Sequence, residues 1–164
     1  MVARRARGQG LRAVGACGLR RLRTLTTARR RAGCGSGQSR PAFFKDFIME
    51  NLFITEALRA QLLANGRLSL DTPDFDPAPV VKLFTPDAGA TWLLTELDPR
   101  DPDIAFGLCD LGLGSPELGY VSLAELATVR GRCGLPVERD LHFVADKRLS
   151  AYARDARLAE RIVT

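Results

Sequence analysis

Every acidic residue of this 164-residue chain lies beyond position 45, whereas half of the basic ones lie before position 46. Residues 1–45 hold eleven Arg and one Lys, a charge of +12, and the remainder hold 12 basic and 19 acidic side chains, a charge of −7. The formal net charge of +5 is the sum of two regions of opposite sign. Arg spaced among Gly, Ala and Thr repels itself and offers little apolar area to offset the entropy of ordering, so the leader, residues 1–48, is expected to be disordered. A core must come from residues 49–164, enough for a single domain. Four scattered Cys do not make a disulfide-stapled secreted scaffold. Charge or Gly interrupts every apolar run well short of the roughly 20 residues that a membrane span needs. A cytoplasmic protein with no membrane association is the expectation.

Three readings fit the leader. Its Arg-rich, acid-free composition is that of an organelle transit peptide. It also suits an arm that grips phosphates, the one route by which nucleic acid would be a partner. In the third reading Met49 is the true start, and the leader is an upstream extension of the frame.

In the acidic part, Thr55 is a helix N-cap with Glu56 in the first turn. Leu58, Leu62 and Leu63 recur at helical spacing until Asn65-Gly66, which predicts a helix over 56–64. Three Pro and three Asp make 71–79 a loop. Residues 80–85 and 91–98 are rich in β-branched and aromatic residues around turn chemistry at 86–90, a hairpin. If Thr85 and Thr91 close it, Phe84 faces Trp92, Lys82 faces Leu94 and Val80 faces Glu96. The core side is then Val81, Leu83, Leu93 and Leu97. A third strand is expected at 104–110, with Gly107 and Cys109 beside Trp92 and with Phe106 and Leu108 on the core side. Ser122 and Glu125 form a capping box, and Val121 with Leu126 forms its hydrophobic staple, so a helix begins at Leu123 and stops at Gly131. Alternation over 140–145 predicts a strand, and the run from Ser150 predicts a closing helix. The fold class is α+β: a small, mostly antiparallel sheet, hairpin plus further strands, with three short helices.

The four Cys show no CxxC pairing and His142 is the only histidine, so neither a metal site nor a cofactor is expected. Glycines at 112, 114 and 119 lack the Gly-Lys-Ser/Thr context of a phosphate loop. Carboxylates remain: Glu96 and Asp98 on one strand face, Asp110 at the end of the next strand, and Glu117 and Glu138 in loops. Around a divalent cation, with Lys82 stabilising charge, they would support phosphodiester hydrolysis. As solvated side chains they pair instead with Arg130, Arg132 and Arg139. The face of Phe84 and Trp92, flanked by Lys82 and Glu96, is core if helices cover it and a protein-binding patch if they do not. Coverage by the helix at 123 or by the closing helix is the expectation. The candidate binding residues are therefore Lys82, Phe84, Trp92, Glu96, Asp98, Glu117, Glu138 and Arg139.

Six blocks, among them Val81-Lys82-Leu83-Phe84-Thr85-Pro86, Thr91 to Asp98, Pro116 to Tyr120 and Val137 to Leu141, closely resemble a bacterial family of small proteins. That family is known as a domain of unknown function, number 2958. The resemblance runs from about Leu52 to Val163. It implies a start near Met49 and an accessory role on plasmids and other mobile elements, and it carries no catalytic residue set. Three functions follow as expectations: a non-enzymatic accessory protein acting through another protein, a metal-dependent nuclease or other hydrolase, and an acidic nucleic-acid mimic. The charge partition itself predicts that residues 49–164 expressed alone melt at the same temperature as the full chain; a lower melting temperature on truncation would show that the leader contributes to the fold.

Overall fold

A computed structural model describes residues 54–164; the leader and the Met49 start lie outside the described residues. Among the described residues, five strands form one open antiparallel sheet with three helices around it, an α+β architecture. In chain order the elements are α1 (Glu56–Asp71), β1 (Val81–Phe84), β2 (Thr91–Asp98), β3 (Asp101–Asp110), β4 (Glu117–Ser122), α2 (Leu123–Thr128), β5 (Glu138–Arg139) and α3 (Leu149–Ala159). The strands lie side by side in the order β4-β3-β2-β1-β5, so β4 and β5 are the edges.

Both faces of the sheet are covered. One face carries Val81, Leu83, Trp92, Leu94, Leu97, Ala105 and Cys109, packed with Leu62 of α1 and Leu126 of α2. The opposite face carries Leu93 and Leu108 beneath Leu149, Tyr152, Ala153 and Ala156 of α3. Coverage of both faces agrees with the expectation that helices bury the Trp92 side as well, and it explains why β2 is buried at six consecutive positions.

The hairpin register is one residue away from expectation. The Thr85 amide donates to the Ala90 carbonyl (3.0 Å), and the Ala90 amide donates to Thr85 Oγ1 (3.1 Å), so the turn closes on Ala90 and not on Thr91. Leu83 then pairs with Trp92, and Phe84 pairs with Thr91. Because side chains alternate, this single step moves Trp92 onto the face of Val81 and Leu83, sends Leu93 to the other face and parts Phe84 from Trp92. On the other side of β2, Trp92 lies beside Cys109, as expected, whereas Gly107, also expected beside Trp92, pairs with Leu94.

The register between β2 and β3 shifts between Leu94 and Glu96, a bulge at Thr95, and α1 is fitted to it. Asn65 Nδ2 donates to the Thr95 carbonyl (2.8 Å), and one turn later Ser69 Oγ donates to Glu96 Oε1 (3.0 Å). Between them, Gly66 lies so close to β2 that a Cβ there would stand 1.9 Å from the Leu97 carbonyl oxygen. Asn65-Gly66 is therefore the docking pair of the helix and not its end, and α1 runs on to Asp71.

Three further differences have local causes. The acidic turn expected before the third strand is confined to Pro99-Arg100, and β3 begins at Asp101. Glu117 and Glu138, both expected in loops, open strands: Glu117–Ser122 is β4, in register with β3 from Ile104 to Cys109, and Glu138 begins β5. The strand expected at 140–145 is absent: β5 ends at Arg139, and the His142 amide donates to Asp140 Oδ1 (3.0 Å), turning the chain off the sheet. The N-cap half of the expected capping box holds, since Ser122 Oγ accepts from the Glu125 amide at the start of α2, which ends at Thr128 rather than Gly131.

Gly66→Ala tests the docking of α1. Helix propensity alone would favour Ala by ~1 kcal/mol, but the contact is with rigid backbone, so a loss of about 1–3 kcal/mol is expected in denaturant unfolding. A stabilised variant would contradict the close packing of α1 on Leu97.

Candidate functional site

Of the acidic side chains singled out by the sequence, Asp98 and Asp110 bind backbone amides, and Asp76, Asp87 and Asp103 do the same elsewhere in the fold. Asp110, buried at the end of β3, accepts from the Gly112 amide (2.8 Å) through one oxygen and from the Ile162 amide (2.9 Å) through the other, which ties the C-terminal segment to the sheet. Asp103 accepts from Ser122 Oγ (2.5 Å) and from the Ala124 amide (2.8 Å), reinforcing the N-terminus of α2. Asp76, in the Pro-rich loop, accepts from the Ser150 amide (3.1 Å) and hydroxyl (2.5 Å), and the neighbouring Pro77 carbonyl accepts from Leu149. That loop caps α3 from a distance, where the N-cap residue Arg148 supplies no side-chain bond. Asp87, in the hairpin turn, accepts from the Cys133 amide in the connection that follows α2.

The candidate residues are dispersed. Trp92 is fully buried and Glu96 is 4% exposed, so neither presents a surface. A second register shift, between Leu97 and Asp98, breaks the period of two that would have put Glu96 and Asp98 on one face. Asp98 accepts from the Arg100 amide (3.0 Å) at the turn. Lys82 donates to Thr164 Oγ1 (2.6 Å), pairs with Asp140 (3.1 Å) and lies 5.8 Å from the centre of the Phe143 ring. Phe84 pairs with Glu138 of β5, and Leu83 pairs with Arg139. Glu117 opens β4, opposite Cys109. Among the described residues no three His, Cys, Asp or Glu side chains are grouped to hold a metal ion.

Two electrostatic clusters hold the second face together. The His142 amide, and next the Lys82 ammonium, keep the Asp140 carboxyl below its usual range. Around α3, Tyr152 donates to Asp146 (2.6 Å) and Lys147 pairs with Asp155 (2.8 Å) while lying 4.6 Å from the centre of the Tyr152 ring. Burial, and then the bond to Asp146, raise the Tyr152 hydroxyl; its bond in turn lowers Asp146, while the pairing with Asp155 raises Lys147. These are fastenings of the chain after β5 onto α3.

One surface stands apart. Gly114, Ser115, Pro116, Glu117 and Leu118, with Arg157 of α3, line an open depression of about 460 Å³ at the start of edge strand β4. Gly112 and Gly114 hold positive φ angles of 72° and 81°, which bend the approach to it. Ser115, Glu117 and Arg157 make no side-chain hydrogen bond or ion pair among the described residues, unlike the carboxylates above. Leu113 in the same loop and Leu158 beside Arg157 are 76% and 83% exposed. Of these residues only Glu117 was singled out by the sequence. The alternation in Glu117-Leu-Gly-Tyr-Val-Ser122 after a two-glycine loop was the available signal, and Gly119 inside it obscured the strand.

The protein is thus a small α+β domain with both sheet faces covered and one strand edge beside a polar depression. Residues 53–163 match the family described as Protein of unknown function (DUF2958), and the chain belongs to that family. No curated protein and no solved structure matches the chain.

Proposed function

We propose that the protein is a non-enzymatic interaction protein, an accessory factor of bacterial mobile elements that acts in the cytoplasm by contacting another protein. The observation that carries this reading is the contrast between committed and uncommitted polar groups. Asp76, Asp87, Asp103 and Asp110 are engaged by backbone amides of distant segments. The side chains at the mouth of the β4 depression have no such partner among the described residues, and exposed Leu113 and Leu158 accompany them. Polar groups of both signs beside exposed apolar side chains suit a protein contact, in which a few apolar anchors supply most of the energy and the surrounding polar groups set orientation. The mobile-element setting rests on the family resemblance.

Leu113→Asp combined with Leu158→Asp is expected to leave the melting temperature unchanged and to abolish crosslinking to the native partner in the host cell. Titration with Mg²⁺ or Mn²⁺ is expected to show no saturable binding. Saturable binding that is lost in Asp98→Asn, together with cleavage of a nucleic acid, would replace this reading with the hydrolase.

A further inference from the structure

We infer that the depression at the start of β4 receives the C-terminal carboxylate of an extended peptide that adds to the sheet as an antiparallel strand beside β4. The inference rests on the interaction-protein reading and names the chemistry of its partner. β4 is an outer strand, hydrogen-bonded to β3 along one side from Glu117 to Ser122. Its six residues include neither Lys nor Pro, the usual guards of an exposed edge, whereas the opposite edge, β5, is only two residues long. Pro116 and Glu117 guard only the start of this edge, and from Leu118 to Ser122 it is a template for a further strand, with the main chain supplying affinity.

The direction of that strand follows from the fold. A peptide antiparallel to β4 ends where β4 begins, at the loop formed by Gly112 to Pro116. There the Gly112 amide is held by Asp110 (2.8 Å), while the amides of Leu113, Gly114 and Ser115 make no hydrogen bond among the described residues. Gly112 and Gly114, on either side of Leu113, hold positive φ angles of 72° and 81°, a backbone conformation that recurs in the nests by which main-chain amides take an anion. Ser115 and Arg157 line the same depression, and their side chains bring a hydroxyl and a guanidinium to it. Amides, a hydroxyl and a guanidinium together are a carboxylate receptor.

Two acids stand at the rim. Glu117 lines the depression, and Glu160 Oε2 is 3.9 Å from where a Cβ on Gly114 would lie. Both would repel a bare anion, so the ligand that balances the site carries a Lys or Arg near its terminal carboxylate. Leu118, half-buried beside Pro116, gives the last side chain of the peptide an apolar contact.

The test is selection of the full-length protein against two libraries of random decapeptides, one displayed with free C-termini and one with blocked C-termini. Binders are expected from the first library only, with a Lys or Arg close to the end. Their affinity should fall at least about tenfold, roughly 1.4 kcal/mol, on C-terminal amidation and equally on Arg157→Glu, with the melting temperature unchanged. Amide shifts on titration should centre on Leu113 to Ser122. Should Arg157→Glu fail to fold, Ser115→Asp serves the same purpose. Peptides that bind at β4 equally well as amides would overturn carboxylate capture and leave the interaction reading standing. Failure of both libraries, or a dimer without peptide in which the same amides are covered, would overturn the inference, and failure of the Leu113 and Leu158 variant to affect crosslinking would separately overturn the interaction reading.

Discussion

Thr85 closes the first hairpin on Ala90, and the side of the sheet that Trp92 occupies depends on that closure. With Leu83 opposite Trp92, the indole joins Val81, Leu94 and Cys109 beneath α1 and α2. Burying an indole of ~200 Å² is worth about 5 kcal/mol. Its Nε1 has no hydrogen-bond partner among the described residues, which costs ~1–3 kcal/mol, so burial wins by a margin that a one-residue slip would forfeit. Leu93, sent to the other face by the same step, becomes the seat of α3. The register thus positions helices on both faces.

With helices on both faces, the polar residues of the domain divide into two groups. Those between elements became fasteners: Asn65 and Ser69 fix α1 to the bulge, Asp76 caps α3, Asp103 supports α2 and Asp110 holds the C-terminal segment. The acidic excess of the domain is in good part accounted for by these amide-binding roles, in which an ionised carboxylate makes stronger bonds than a neutral acceptor would. At the β4 edge the pattern changes, since Ser115, Glu117 and Arg157 have no comparable task among the described residues. The proposed partner surface sits there because the fold has left polar groups unspent beside a strand edge.

Much of this was legible in the sequence where the signal is local. The Thr55 cap, the Ser122/Glu125 box, the closing helix and the hairpin all depend on residues within a few positions of one another. The failures share a long-range cause. Asn65-Gly66 resembles a helix stop until β2 is brought against it, when both residues become contacts. The closing residue of the hairpin turned on whether Ala90 or Thr91 meets Thr85, a choice that composition leaves open. Leu141, Phe143 and Ala145 alternate as a strand would, yet Asp140 turns the chain, and Phe143 packs against the second core from outside the sheet. Of the candidate site, Glu117 was visible as a carboxylate, but Arg157, forty residues along the chain, joins it only through the packing of α3 on the sheet.

The sole tryptophan reports most directly on whether the hairpin register, and with it the division of surface from core, is right. In the native protein Trp92 emission is expected to be blue-shifted and protected from acrylamide, with both properties lost in one cooperative step on unfolding. Red-shifted emission from folded protein, quenched as readily as free indole, would place Trp92 on an open face and return the partner surface to Lys82, Phe84, Trp92 and Glu96.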